Sequence, residues 1–159
     1  MSSYYATVSW NRGVHEFSAQ KYSRGHVWHF DEGVSVPASA SAHAVKGQWT
    51  VAAAVDPEEA LVAAVSSCHM LFFLSYCSRD GFIVESYEDP AEGTLEKVDS
   101  GRILMSRITL RPFVTFRGKA PSAERVDAWH HEAHEECYIA NTVRSKIEVE
   151  GRFVVIEGS

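Results

Sequence analysis

The chain has 159 residues, of which 45% are hydrophobic and 23% charged, which is typical of a globular protein with a buried core and not of a disordered chain. Its net charge of -6 at pH 7, with lysine and arginine scattered, argues against a nucleic-acid or anionic-membrane partner, because both prefer basic surfaces. We therefore expect one domain over residues 1–159 that binds a small molecule or another protein.

The N-terminus and the cysteines indicate a cytoplasmic protein. The segment "MSSYYATVSW" has no basic region followed by an apolar run, and no stretch reaches the roughly 18 apolar residues of a membrane span. The chain has an odd number of cysteines, Cys68, Cys77 and Cys137, and no two of them form a CxxC pair. A disulfide-stapled secreted scaffold is therefore not expected, while redox chemistry stays open.

Short strands are predicted in the first quarter of the chain, where they would form a small antiparallel sheet. They cover residues 4–10, 14–17, 26–30 and 34–38. The small and polar segment 39–49 that follows is predicted to be a loop.

A long helix is predicted next, with Asp56 as its cap, Pro57 at its first position and Gly81 at its end. It is apolar almost all round between Leu61 and Leu74. Such a helix is expected to be surrounded by other elements, so we interpret it as the core helix.

Strands and a second helix complete the predicted fold. Residues 82–87 and 93–98 are predicted strands, and residues 107–117 alternate in polarity, with Pro112 marking an edge or a bulge. A second helix is expected from a Ser122 cap to about Glu136. Alternation in residues 143–149 and the segment "GRFVVIEG" predict the last strands, which gives an α+β fold.

The segment "HHEAHEECYIAN" contains a possible metal site. His130 and His134 stand four residues apart on one helical face, and Cys137 lies three residues further on. The segment misses the HExxH pattern of zinc proteases in either register. A solvated polar helix face, with His130 and His131 as surface residues, is the alternative.

Two segments resemble the signature segments of the OsmC/Ohr superfamily, which contains thiol-dependent hydroperoxide reductases. In isolation, Cys68 and Cys77 would each be interpreted as small buried hydrophobic residues. In "DPEEALVAAVSSC", however, a helix start of Asp, Pro and Glu precedes a cysteine by ten residues, and "HEECYIAN" has the spacing His, two residues, Cys, three residues, Asn. The matching positions are Asp56, Pro57, Glu58 and Cys68 in the first segment, and His134, Cys137 and Asn141 in the second.

The resemblance implies a fold, an assembly and a reaction. It implies an OsmC-like fold with antiparallel sheets around a long central helix plus a second helix, an intertwined homodimer with two interface sites, and no metal or organic cofactor. It also implies a peroxidatic Cys68 and a resolving Cys137. Glu58 and an N-terminal arginine would assist the thiol, and Arg24 in "YSRGHVWHFDEG" is our choice for that arginine over Arg12. Tyr138, where such reductases often carry proline, and His69 beside Cys68 indicate a separate branch.

The carried-over roles make physical sense. A cysteine attacks a peroxide only as a thiolate, so an apolar helix interior needs a nearby cation, and a carboxylate such as Glu58 can hold the fork of Arg24. Ten helical residues span about 15 Å, so Glu58 cannot touch Cys68 of its own chain. We therefore expect Glu58 and Arg24 to act from a second subunit.

The expected reaction has three steps. The Cys68 thiolate reduces a hydroperoxide and becomes a sulfenic acid, Cys137 condenses with it, and an external dithiol reopens the disulfide. The apolar neighbours Leu71, Phe72 and Phe73 favour an organic hydroperoxide. Two alternatives stay open: an OsmC-like protein without enzymatic activity that binds a small ligand, and a metal-binding protein that uses His130, His134 and Cys137.

Overall fold

The computed structural model describes residues 1–45 and 47–158, so Lys46 in the predicted loop 39–49 lies outside the described residues, as does Ser159. The chain divides into two compact units, Met1–Ala60 and Leu61–Ser159. Each unit is described on its own, and the single domain over residues 1–159 stays a prediction.

The first unit contains one three-stranded antiparallel sheet in the order β1-β2-β3. The strands are β1 (Ala6–Ser9), β2 (His26–Phe30) and β3 (Ser35–Ala38), and Asp31–Gly33 forms a short 3-10 turn between the last two. These strands confirm three of the four predicted strands of this region.

The strand predicted at residues 14–17 is wrong, because this segment is part of a turn. Gly13 and Gln20 adopt left-handed φ values of 59° and 61°, which reverse the chain before a strand can form. The apolar Phe17 that suggested a strand instead stacks on Tyr22, with ring centroids 4.7 Å apart.

The helix α1 (Pro57–Arg79) begins and ends as predicted. The Glu59 amide donates to Asp56 Oδ1 at 2.8 Å, and the Asp56 amide donates to Glu59 Oε2 at 3.3 Å, which is a reciprocal N-terminal cap. Gly81, at a φ of 76°, closes the other end. Its amide bonds to Ser78, and the Phe82 amide reaches back to the carbonyl of Cys77 at 2.9 Å.

Only one stripe of α1 is buried, so the expectation that the helix is surrounded on all sides is wrong for the single chain. The buried residues are spaced by four and are Val65, His69, Phe73 and Cys77. The other side of the helix is open and includes Leu71, which is 61% exposed. By length and composition alone α1 could cross a membrane, so the statement that no segment does so is too strong, although a buried core helix passes the same test.

Two three-stranded sheets belong to the second unit, in the orders β4-β7-β9 and β5-β6-β8. The strand predicted over residues 107–117 is divided into two strands at Pro112. The strands are β4 (Ile83–Glu88), β5 (Glu92–Lys97), β6 (Ile103–Leu110), β7 (Phe113–Arg117), β8 (Lys146–Val149) and β9 (Arg152–Ile156), and α2 (Ala123–Glu136) precedes β8.

The α+β fold with two helices and several sheets is confirmed, but the sheets are not all antiparallel. β6 pairs with β8 and β7 pairs with β9 in parallel. Each of these pairs joins strands separated by α2, a connection that brings the chain back in the same direction.

The buried stripe of α1 contacts two core clusters of the second unit. Phe73 and Cys77 pack with residues of β7 and α2, among them Trp129. Val65 packs with Ile108 and Leu110 of β6. The core thus packs one stripe of α1 against the sheets and α2, and this fixes the helix that carries Cys68.

Candidate active site

The structure brings Cys68 and Cys137 together. Cys68 is half-buried on α1, and Cys137 is buried at the residue that ends α2. The two thiols lie close enough to interact, and neither forms a disulfide. Both residues belong to the second unit, so their proximity is a property of one compact body.

The turn after α2 explains the spacing of the second motif. The Cys137 amide donates to the carbonyl of His134, and the Asn141 amide donates to the carbonyl of Cys137 at 3.0 Å. The Asn141 side chain donates to the Glu135 carbonyl at 2.7 Å. The Ala140 amide points at Cys137 Sγ from 3.3 Å. The turn therefore fixes the backbone of Cys137 on both sides, and the Ala140 amide holds its sulfur atom.

The three thiols have different environments. Burial, followed by contact with Cys68, raises the pKa of Cys137 to about 11, so this thiol keeps its proton at neutral pH. Burial, followed by the charge of Asp80, raises the pKa of Cys77 to about 12. Cys77 is thus an inert core thiol, while Cys68 alone is partly open to solvent.

Arg24 is held within its own loop in the first unit. Its guanidinium donates to the carbonyls of Gln20 at 2.9 Å and Tyr22 at 2.6 Å, and it lies 3.8 Å from the centre of the Tyr22 ring. It also lines a largely apolar cavity of about 480 Å³. The other lining residues are Val8, Trp10, Phe17, Tyr22, His26, Ser39, Ala40 and Pro57. The competing Arg12 is bonded to the His15 carbonyl at 2.9 Å.

Glu58 stands in the first turn of α1 and has a carboxylate oxygen, Oε2, that is buried without a hydrogen-bond partner. Within residues 1–45 and 47–158, no ion pair joins Glu58 to Arg24. Because the helix is continuous, ten residues place Glu58 about 15 Å along the axis from Cys68. The pairing of Glu58, Arg24 and Cys68 in one site therefore stays a prediction.

The sequence interpretation missed a buried histidine pair. His69 is 1% exposed and His130 is 6% exposed, and His69 Nε2 lies 3.0 Å from His130 Nδ1 with nearly parallel rings. Treating His130 as a surface residue was wrong, whereas His131 is exposed as expected. The signal was present on α1, where His69 continues the four-residue stripe of Val65 and Phe73.

Both paired histidines are neutral. Burial, followed by the charges of His130 and His134, lowers the pKa of His69 to about 3. Burial lowers the pKa of His130 to about 4, against the opposing effect of Asp127. Protonation of either ring would place a charge in the core.

The metal alternative finds no support in the geometry. Among the residues that the structure describes, no group of three or more His, Cys, Asp or Glu side chains is arranged to hold a metal ion. Of the three suggested ligands, His130 faces His69 and Cys137 faces Cys68. His130 Nδ1 and the Cys137 sulfur are therefore directed to other partners.

An apolar surface lies beside the thiol pair. Tyr138, which follows Cys137, is 69% exposed and meets Phe72 edge to face with centroids 5.3 Å apart. Leu71 is exposed one turn from Cys68. Phe73 is fully buried against His130 and Trp129, so its predicted place on this surface is wrong, whereas Tyr138 is exposed there.

Comparisons with known proteins agree with the two motifs. The sequence model of the OsmC-like protein family matches residues 50–151, a range that includes both motifs. An OsmC-like protein of unknown function from Vibrio cholerae is 44% identical, with a TM-score of 0.91 over 97% of this chain and 100% of that protein. No protein of curated function shows a significant match.

More distant structures share the fold. The organic hydroperoxide resistance protein of Elizabethkingia anophelis is 14% identical, with a TM-score of 0.67 over 98% of both chains. The organic hydroperoxide resistance protein of Bacillus subtilis is 18% identical, with a TM-score of 0.60 over 96% of this chain and 98% of that chain. The family match, the Vibrio relative and the shared fold lead to one conclusion: the chain belongs to the OsmC/Ohr superfamily of OsmC-like proteins.

Proposed function

We propose that this protein is a thiol-dependent peroxidase that reduces organic hydroperoxides to alcohols, with Cys68 as the peroxidatic and Cys137 as the resolving cysteine. The observation that carries the proposal is the contact between a half-buried Cys68 and a buried Cys137 that keeps its proton. This arrangement supplies one thiol that a substrate can reach and a second thiol beside it. Some family members with the same fold are organic hydroperoxide resistance proteins.

The first step oxidises Cys68. Its thiolate attacks the terminal oxygen of ROOH, the O–O bond breaks, and the RO⁻ leaving group takes a proton from solvent to become ROH. The sulfur now carries that oxygen as a sulfenic acid. The exposed apolar surface of Leu71, Phe72 and Tyr138 supports an organic substituent on the peroxide rather than hydrogen peroxide itself.

The second step forms the disulfide. Cys137 loses its proton, its sulfur attacks the Cys68 sulfenic acid, and the hydroxyl group leaves as water. A cellular dithiol then reduces the disulfide by two successive thiol exchanges, and both cysteines regain their thiol form. No metal or organic cofactor takes part in this proposal.

The proposed active form is a cytoplasmic homodimer. The open side of α1 and the exposed aromatic residues of the first unit would be covered by a second copy, since large exposed apolar surfaces generally mark interfaces. A second subunit would also bring Arg24 and Glu58 to Cys68, and Glu58, whose buried Oε2 has no hydrogen-bond partner, is suited to hold an arginine fork. A fully active monomer in a sedimentation experiment would contradict the shared site.

The proposal is tested by stoichiometric oxidation. Reduced protein is treated with one equivalent of cumene hydroperoxide, and the products are identified by peptide mass mapping. We expect loss of two thiols per chain and a Cys68–Cys137 disulfide, with Cys77→Ser as the matched control that behaves like wild type. Disulfide formation by Cys68→Ser protein, or none by wild type, would overturn the assignment.

A second candidate, a non-enzymatic ligand-binding protein, is favoured by one observation only. The first unit has a cavity of about 480 Å³ lined by Trp10, Phe17 and Tyr22, a volume and lining typical of small-molecule sites. The same oxidation experiment separates the two, because a ligand-binding protein has no need to convert both thiols rapidly and specifically.

A further inference from the structure

The buried histidine pair joins the two helices that carry the cysteines. His69 directly follows Cys68 on α1, and His130 lies seven residues, about 10 Å of helix, before Cys137 on α2. We propose that the His69–His130 pair positions the two thiols. It does so by fixing the position of α2 along α1 at which Cys137 lies beside Cys68. The proposal rests on the proposed function and names residues that control the same site without touching the substrate.

Polar contacts join α2 to α1 at two places. Arg125 and Trp129 of α2 bond to Asp80, which follows α1, and Glu132 pairs with Arg79 at the end of α1. His130 of α2 bonds to His69, and past the end of α2 Cys137 lies beside Cys68. The histidine bond is therefore the polar contact next to the thiols, while the Asp80 contacts lie at the far end of α1.

The two histidine rings are oriented by a directional hydrogen bond and not by apolar packing alone. A neutral imidazole has one N–H and one lone pair, and the bond between His69 Nε2 and His130 Nδ1 uses one of each. The remaining nitrogens, His69 Nδ1 and His130 Nε2, are buried without partners. A single bond with a defined direction thus sets the rotation of both rings, and each ring belongs to a different helix.

Neighbouring groups fix the position of the His130 ring. One face stacks on Phe73 with centroids 4.3 Å apart. On another side a methyl group at Gly151, the turn between β8 and β9, would lie 2.6 Å from His130 Nε2. Phe73 and Gly151 thus limit the His130 ring on two sides, so a displacement of the ring away from Gly151 must move α2 or break the bond to His69.

The test measures how strongly the two thiols are held together, without any peroxide. Purified wild-type protein is equilibrated in glutathione redox buffers, and the fraction of Cys68–Cys137 disulfide gives the effective concentration of one thiol at the other. His69→Leu keeps the volume of the side chain but removes the bond, and we expect the effective concentration to fall about tenfold or more. His69→Gln, whose amide nitrogen can stand where Nε2 was, should restore it to within about threefold of wild type.

A second variant perturbs the pair without changing either histidine. Gly151→Ala should displace the His130 ring and lower the effective concentration in the same direction as His69→Leu. Gly158→Ala is the matched control, because its added methyl group makes only an ordinary contact of 3.5 Å. In a His130→Asn background the effect of Gly151→Ala should shrink, since the shorter side chain leaves room.

The outcomes separate positioning from general stability and from the proposed function. Urea unfolding identifies variants that are destabilised, and Val114→Ala in the core of β7 supplies a destabilised control whose thiol equilibrium should stay unchanged. If His69→Leu and Gly151→Ala lower stability but leave the thiol equilibrium at the wild-type value, or if His69→Gln restores nothing, the positioning role is wrong. If wild type forms no Cys68–Cys137 disulfide, the proposed function and the positioning role both fail, whereas normal disulfide formation without peroxide turnover would remove the peroxidase alone.

Discussion

Two adjacent side chains on α1 have opposite environments. Cys68 is half-buried and pairs with another thiol, whereas His69 is buried and pairs with another imidazole. One residue along a helix is a rotation of about 100°, so neighbours in sequence can face solvent and core respectively. The comparison teaches that the face of the helix, and not the residue type, decides which of two titratable neighbours is available for chemistry.

The largest effect is expected at Cys68, the more exposed of these two neighbours. Replacement of Cys68 by serine should lower peroxide turnover by roughly a thousandfold or more, because the attacking atom is lost. Replacement of Cys77 by serine should leave the turnover near wild type, since Cys77 is buried away from the pair. Consumption of cumene hydroperoxide with a dithiol measures both. Equal losses in the two variants would show that the open face of α1 is not the reactive one.

The next effect concerns the cation that the thiolate needs. Arg24→Met should slow the oxidation of Cys68 about tenfold or more, because an apolar site stabilises a thiolate poorly without a positive charge. Arg12→Met is the control and should change little, since the Arg12 guanidinium donates to the His15 carbonyl of its own turn. Stopped-flow oxidation of the thiol by peroxide gives the rates. The reverse result, a large loss only in Arg12→Met, would move the role to that arginine.

The buried His69 and its partner His130 predict that the free energy of unfolding depends on pH. The folded pKa values of about 3 for His69 and about 4 for His130 lie below the ordinary 6.5, so the unfolded chain binds protons that the folded chain excludes. As far as these two histidines determine it, the free energy of unfolding has its full value above about pH 6.5. It falls on acidification by up to about 1.4 kcal/mol per pH unit for each histidine. Asp127 and His134 are the charged or titratable groups that face the pair and modify this slope.

Urea unfolding at pH 7 and pH 5 measures this effect. Asp80 contributes little in that window, because bonds from Arg79, Trp129 and Arg125 lower its pKa and place its titration at lower pH. A His69→Gln, His130→Asn double variant should lose most of the pH dependence, while His131→Asn should keep it. A wild-type chain equally stable at both pH values would show that the pair is charged or exposed in solution.

The smallest effect is expected at Tyr138. Because its ring is largely exposed and meets Phe72 edge to face, Tyr138→Ala should change the free energy of unfolding by no more than about 0.5 kcal/mol. It should raise the KM for an aromatic hydroperoxide a few-fold and leave that for a small alkyl hydroperoxide nearly unchanged. An equal change for both substrates would exclude Tyr138 from substrate selection.

Local signals in the sequence predicted local structure well. The Asp56 cap, Pro57 and the Gly81 stop are set by backbone chemistry within a few residues, and all three appear where predicted. The contact of Cys68 with Cys137 was reached through a family motif and not through spacing, because 69 residues separate the two cysteines.

Features that depend on distant parts of the chain were missed. The partner of His69 lies 61 residues away, and no local pattern marks it. The parallel pairing of β6 with β8 and of β7 with β9 depends on how the chain returns after α2, which alternation in a strand does not encode. Likewise, an apolar residue such as Phe73 does not reveal whether its face of the helix meets substrate or core.

Because two of the three cysteines are buried, the reactivity of the native thiols reports on the conformation of the chain. A thiol-specific dye added to folded, reduced protein should reach Cys68 first, since Cys77 and Cys137 are closed to solvent. Cys137 becomes reactive when the end of α2 opens, and Cys77 only when the helices separate from β7. The order of labelling would therefore resolve local opening from global unfolding without an engineered probe.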